Sequence, residues 1–134
     1  MGNNKLESGF KITNLLLVES HFSRINNVQF GEDAKNDVEI NTEVSVNGSS
    51  IIVAEEVILV QKYHEVEQVN IKVKMIGIFE SIGESIIRDF NEFGKVNGAA
   101  IISPFIREHI TNITLKSGIG AIILPPVNFT NASK

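Results

Sequence analysis

The sequence predicts an α+β protein: a four-stranded antiparallel sheet with one long and one short helix on one face. Four successive stretches have the apolar patterning of strands, and helical spacing of apolar residues takes over after the fourth. A two-residue turn signal joins the second stretch to the third, and consecutive strands without intervening helices pair antiparallel. A chain in which the strands come first and the helices follow is typical of an α+β fold.

The first two strands are predicted at residues 10–22 and 38–47. The first contains the consecutive apolar residues 15–18, so both of its faces meet apolar neighbours. The second alternates between apolar or threonine side chains and polar ones, which gives it one dry and one wet face. It ends at Asn47-Gly48, where both residue types tolerate positive φ, and we expect a type I′ hairpin there.

The third and fourth strands are predicted at residues 51–62 and 66–79. The third is apolar on both faces and is interrupted by Glu55 and Glu56. The fourth alternates between apolar and polar residues, so it too has one dry face. Helical spacing then begins in a short helix, marked by residues four apart: Ile82, Ile86 and Phe90.

A longer helix is predicted to begin at Ser103-Pro104. Serine is a favourable N-cap, and proline at the first helical position lacks only an N–H that would be unpaired there. Gly118 stands where a glycine closes a helix. The prolines at 125 and 126 predict an extended segment after it. The apolar stripe of the helix consists of Ile106, Ile110 and Ile113.

The domain prediction is a disordered N-terminal lead over residues 1–9 and a single domain over residues 10–134. The lead is polar and has no apolar core of a signal peptide, and no apolar run approaches the roughly 18 residues that span a bilayer. The net charge of −4 disfavours a nucleic-acid partner, which binds a basic surface. The absence of cysteine suits a reducing compartment. We expect a cytoplasmic protein without membrane insertion.

Motifs of catalysis and cofactor binding are incomplete in this sequence. Residues 94–96 lack the rest of a phosphate loop, and residues 83–87 lack the closing glycine of a nucleophile elbow. Residues 118–120 follow a helix and not a strand, unlike a dinucleotide fingerprint. The histidines share no metal-ligand spacing, and His109 beside Glu108 is interpreted as a partly buried histidine at a helix edge. We therefore predict no catalytic residues, no metal and no cofactor. The three histidines are His21, His64 and His109.

The apolar surface of the predicted elements exceeds what two helices cover. Three outcomes are open: a homo-oligomer that buries the surplus, a ligand groove, or a tightly packed monomer core. A persistent exposed apolar patch marks a binding surface in most soluble proteins. Composition and periodicity do not decide among the three.

The C-terminal third resembles a known family. Gly98-Ala99, the run from Pro104 to Thr111 (PFIREHIT) and the run from Leu124 to Phe129 (LPPVNF) are similar to the SecB export chaperone family. The pairing of Pro-aromatic-x-Arg-Glu-x-Ile with Pro-Val-Asn-Phe is specific. Weaker similarity covers the strands, at residues 77–79 and at Phe10, Ile12 and Phe22.

The resemblance implies a crossover connection in the sheet and a homotetramer built as a dimer of dimers. It implies a holdase that binds unfolded polypeptides, such as preproteins, in extended form without ATP and keeps them competent for translocation. Oligomer-interface candidates on the fourth strand are Ile71, Val73 and Met75. Client-groove candidates beside the long helix and the segment after it are Ile106, Ile110, Ile122, Leu124 and Val127.

Two departures from the family bear on the partner. The family's second helix and acidic tail would follow Phe129, where only five residues remain. The family docks on the translocase ATPase SecA through an acidic sheet surface, to which Glu19 is the candidate contributor. Ser23 and Lys72 stand where further acids are expected, and Lys72 reverses the sign. Alternatives are therefore a SecB-like chaperone for a specific client such as an antitoxin, and a structural homo-oligomer without chaperone activity.

Overall fold

The computed structural model describes residues 10–81 and 93–124. Four strands come first: β1 Phe10–Arg24, β2 Ala34–Asn47, β3 Ser50–Tyr63 and β4 Val66–Ser81. A π-helical turn, Gly94–Gly98, leads directly into the helix α1, Ala99–Lys116. The predicted N-terminal lead, the predicted short helix at 82–90 and Val127 lie outside the described residues.

The strands form one antiparallel sheet in the order β1-β4-β3-β2. This confirms the predicted α+β fold with a crossover, because β1 and β2 are consecutive in sequence and lie at opposite edges. The connection between them, residues 25–33, is held at the sheet by Gln68, which is buried. The Gln68 side chain accepts a hydrogen bond from the Gln29 N–H at 2.6 Å and donates one to the Gln29 carbonyl at 3.0 Å.

Alternation along the two central strands separates an inner face beneath α1 from an outer face. Odd-numbered residues from 51 to 59 in β3 and from 69 to 79 in β4 are buried, and the even-numbered residues between them are half-buried on the outer face. In the register, Val57 pairs with Val73 and Leu59 with Ile71, so buried residues lie opposite one another on the inner face. The helix closes this face with a stripe that is fully buried, Ile102, Ile106 and Ile110.

The start of the long helix differs from the prediction. The helix runs from Ala99, and Pro104 lies inside it. Proline removes the hydrogen bond that residue 104 would donate to the carbonyl of Ala100. Ala100 and Pro104 are both exposed, so water can satisfy that carbonyl. The adjacent Ser103 is buried against the sheet and not at an N-cap, because the helix begins upstream of it.

Two glycines in left-handed backbone conformations end elements. Gly118, with φ +82°, follows Ser117 at the end of α1, as predicted. Asn47 pairs with Ser50, so the hairpin turn consists of Gly48 and Ser49 and not of Asn47-Gly48. Only Gly48 of these two has positive φ, +62°, which fits a type II′ turn and not the expected type I′.

Candidate client-binding surface

The helix α1 lies along β1 with one side turned toward that strand. The hydroxyl of Ser20 and Nε2 of His109 are 2.8 Å apart, and Arg24 donates a 2.6 Å hydrogen bond to the carbonyl of Ser117. Four residues of strand and eight of helix each span about 12–13 Å. The two bonds therefore show that α1 runs parallel to β1.

The segment after α1 returns along the opposite side of the helix. Thr111 is two residues from His109, which is about 200° of helical rotation. Its hydroxyl donates to the carbonyl of Ile122 at 3.2 Å, and the Ile122 N–H donates to the Thr114 hydroxyl at 2.8 Å. Since His109 faces β1, these threonines face the β2 edge of the sheet. We call residues 119–124 the return segment.

We define the β2 margin as the apolar residues on the side of the molecule away from β1: Ile122, Ile123 and Leu124 of the return segment, and Val38 on the edge strand β2. Ile123 is 78% exposed and Val38 is 44% exposed, whereas Leu124 is buried and Ile122 is half-buried. Each buried residue of the segment anchors an exposed neighbour. A segment with alternating anchored and exposed apolar side chains can hold apolar side chains of another chain.

A second apolar surface, the β1 margin, lies at the other edge of the sheet. Leu16, Leu17 and Val18 are consecutive exposed residues on an edge strand. Ile101 and Phe105 precede His109 at intervals of four, so they lie toward the β1 side of α1 and are exposed. An edge strand has unpaired backbone groups on one side, so this margin is suited to pair with a second strand.

The structure divides the predicted client-groove residues into two groups. Ile106 and Ile110 are fully buried between α1 and the sheet of their own chain. Ile122 and Leu124 lie on the β2 margin, and Val127 lies outside the described residues. Helical spacing shows which residues share a face, but it does not show that their own sheet covers that face completely.

The predicted oligomer-interface residues also lie on the inner face. Ile71 and Val73 have no exposed surface, and Met75 is 9% exposed. Their role at an interface stays a prediction, and within this chain they form the floor beneath α1. Exposed residues of the two margins that were not among the predicted site residues include Leu17, Ile101, Phe105 and Ile123. For Ile101 and Phe105, the sequence signal that could have found them is their four-residue spacing to His109, which places them toward the same side of α1.

The outer face of the sheet carries a charge cluster around Lys72. Its ammonium lies 3.4 Å from the Glu19 carboxylate and 3.5 Å from the Glu56 carboxylate. The hydrogen bond with Glu19, followed by the charges of Glu19 and Glu56, raises the pKa of Lys72. Glu19 is thus paired with a cation from its own chain, and this part of the outer face is not uniformly acidic.

The described residues contain neither a cluster of metal ligands nor a membrane-spanning helix. Within residues 10–81 and 93–124, no group of three or more His, Asp or Glu side chains is placed to hold a metal ion. No helix in those ranges is long and apolar enough to cross a bilayer.

Comparison with solved structures identifies the fold. The SecB-like chaperone Rv1957 of Mycobacterium tuberculosis, solved in complex with a ChAD peptide from the HigA1 antitoxin, superposes with a TM-score of 0.79. The match covers 93% of this chain and 95% of that one at 13% sequence identity. A protein of unknown function from Streptococcus agalactiae matches with a TM-score of 0.48 at 11% identity, over 87% of this chain and 96% of that one. The chain therefore has the fold of SecB-like chaperones.

Sequence comparison yields one partial relative. The uncharacterized protein MJ0357 of Methanocaldococcus jannaschii is 38% identical over 60 residues, which is 45% of this chain. The matched region spans 38% of that protein's length. No family model matches the sequence.

Proposed function

We propose that the protein is a cytoplasmic holdase that binds non-native polypeptides in extended form on the β2 margin. The observation that carries the proposal is the return segment, which presents exposed Ile123 between two anchored apolar residues. A native protein offers few apolar side chains to such a surface, whereas an unfolded chain offers many. The likeness of the fold to a SecB-like chaperone supports the same function.

The mechanism needs only binding. An apolar client side chain buried on the margin contributes about 25 cal/mol per Å². A chain that binds only the unfolded form of a client shifts the client's folding and aggregation equilibria by mass action, so no nucleotide is required. Several margins on one oligomer strengthen the capture through effective concentration.

We propose further that the β1 margin is used for self-association into a homotetramer, a dimer of dimers. An antiparallel pairing of β1 with β1 of a second copy would satisfy both edges and cover Leu16, Leu17 and Val18. Isologous pairing of this kind is the commonest form of homo-oligomer contact. Ile101 and Phe105, on the same side, would extend the contact from the strand to the helix.

A dedicated client is the second candidate function. The structurally similar Rv1957 was solved with an antitoxin peptide, which supports a specific client of that kind here. The pairing of Glu19 with Lys72 removes part of the acidic surface that SecA docking would use. Delivery of preproteins to SecA for export stays a prediction from the family resemblance.

The test is suppression of aggregation of a chemically denatured protein after dilution, without nucleotide. The unaltered chain is expected to suppress aggregation at stoichiometric oligomer. Ile123→Ser removes about 1–2 kcal/mol of apolar burial per client contact, so the affinity falls about five- to thirtyfold.

The matched control is Phe30→Ser, which removes another exposed side chain, 64% exposed, in the connection between β1 and β2. It is expected to leave suppression unchanged. Equal loss in both variants would contradict the assignment to the β2 margin. No suppression by the unaltered chain would favour a structural homo-oligomer, and suppression limited to one natural client would favour the dedicated chaperone.

A further inference from the structure

The carboxyl group of Glu55 is buried beneath α1. The residue has no exposed surface, and within residues 10–81 and 93–124 neither carboxyl oxygen has a hydrogen-bond partner. It lies on the inner face of β3, where its neighbours across the sheet are Thr42 of β2 and Met75 of β4. A buried polar group of this kind opposes closure of the interface that covers it.

The surroundings of Glu55 contain no charge among the described residues. Across β2, Thr42 is flanked on the inner face by Ile40 and Val44, and across β4, Met75 is flanked by Val73 and Gly77. The buried face of α1 consists of Ala99, Ile102, Ser103, Ile106, Ile110 and Thr114, none of which is titratable. Burial alone raises the pKa of Glu55, from 4.5 to about 8.

The inner face continues into the exposed β2 margin. Val38 pairs with Leu59 of β3, and Leu59 pairs with Ile71 of β4, so one apolar row runs from the exposed edge to the covered floor. Val38 is 44% exposed, whereas Leu59 and Ile71 have no exposed surface. A client segment seated on the β2 margin would reach this row if α1 moved away from the sheet.

We infer that Glu55 makes the closure of α1 over the sheet proton-dependent, and that the uncovered inner face is a second binding surface for apolar segments of a non-native polypeptide. The inference rests on the proposed holdase function for its client. The closed form holds a neutral carboxyl, and the open form ionises in water. Opening therefore releases a proton. The equilibrium constant for opening rises about tenfold for each pH unit between 4.5 and 8 and levels off above pH 8.

Opening can be measured with a single thiol, because the chain has no cysteine. Val57 is buried on the inner face two residues from Glu55, so Val57→Cys reports exposure of the floor through its rate of thiol modification. The rate is compared at each pH with that of Val57→Cys combined with Glu55→Gln, which cancels the thiol's own titration. We expect the ratio to rise about tenfold per pH unit from pH 6 to 8.

Glu56→Gln is the matched control, because Glu56 is the next residue and lies on the outer face beside Lys72. The labelling rate of Val57→Cys, divided by that of Val57→Cys combined with Glu56→Gln, is expected to stay constant with pH. A constant ratio in the Glu55→Gln comparison would overturn the inference. If Val57→Cys does not fold, hydrogen exchange of the β3 amides in the unaltered chain and in Glu55→Gln measures the same opening.

Client binding to the inner face is measured with a reduced, carboxymethylated protein that stays unfolded at all pH values used. Its affinity for the unaltered chain is expected to rise with pH between 6 and 8, because the binding-competent fraction rises. Glu55→Gln is expected to remove this pH dependence, and Glu56→Gln to keep it. If the affinity for the unfolded client does not change with pH while the thiol-labelling ratio does, the inference that the inner face is a second binding surface is wrong. Absence of binding by every variant would instead reject the proposed holdase function, and the labelling ratio would still report opening.

Discussion

Replacing Glu55 by glutamine is expected to change the pH dependence of global stability. The pKa of this carboxyl is raised from 4.5 to about 8 by burial, so the folded state binds a proton that the unfolded state has released. The stabilisation by protonation is complete below pH 4.5, is lost progressively as pH rises, and is absent above pH 8. The full difference is about 5 kcal/mol.

The assay is urea unfolding at fixed protein concentration at pH 5.5 and pH 8. The chain has no tryptophan and one tyrosine, so far-ultraviolet circular dichroism is the suitable signal. Over this interval the unaltered chain should lose about 3 kcal/mol of unfolding free energy more than Glu55→Gln does. Glu56→Gln, on the outer face, should keep the steep dependence. Parallel pH profiles for the unaltered chain and Glu55→Gln would refute the reasoning.

Three further variants test the packing, the return segment and the assembly. A Cβ on Gly98 would lie 2.9 Å from Cγ2 of the buried Val53, so Gly98→Ala should lower the unfolding free energy by about 1–2 kcal/mol in urea titrations. Thr114→Val removes the acceptor of the Ile122 N–H and should speed exchange of that amide about tenfold. Leu17→Asp places a charge on the β1 margin and should convert the proposed oligomer to smaller species in light scattering.

Two of these variants have a matched control in the chain. Asn97→Ala, an exposed neighbour of Gly98, should change stability by less than about 0.5 kcal/mol. Val66→Asp, at an exposed position away from both margins, should leave the oligomer intact. A Gly98→Ala chain as stable as Asn97→Ala would contradict the close packing of Gly98 against Val53. Unchanged exchange of the Ile122 amide in Thr114→Val would contradict its hydrogen bond to the Thr114 hydroxyl. Equal dissociation by Leu17→Asp and Val66→Asp would contradict the role of the β1 margin in self-association.

The strands could be predicted from the sequence because their pattern is local. Alternation with period two in β2 and β4 reflects one covered and one wet face, and the structure extends the predicted ends by a few residues. The crossover connection came from the family resemblance, since pairing between distant strands leaves no local pattern. The structure confirms a crossover and shows that it joins β1 to β2.

The helix start and the binding residues were harder to predict, for two different reasons. Ser103-Pro104 has the composition of a helix start, but tertiary packing places Ser103 in the core and Pro104 on the solvent side. Ile106 and Ile110 were chosen as groove residues because they are apolar and helical in spacing. Their complete burial depends on the sheet beneath them, which a helical pattern does not reveal.

Site-specific photocrosslinking tests the client surface most directly. A benzophenone amino acid in place of Ile123 is expected to crosslink a denatured polypeptide and to leave the native form of the same protein unlabelled. The same probe in place of Phe30 should crosslink neither. Equal crosslinking from both positions, or none from position 123 while the chain still suppresses aggregation, would contradict the assignment of client binding to the return segment.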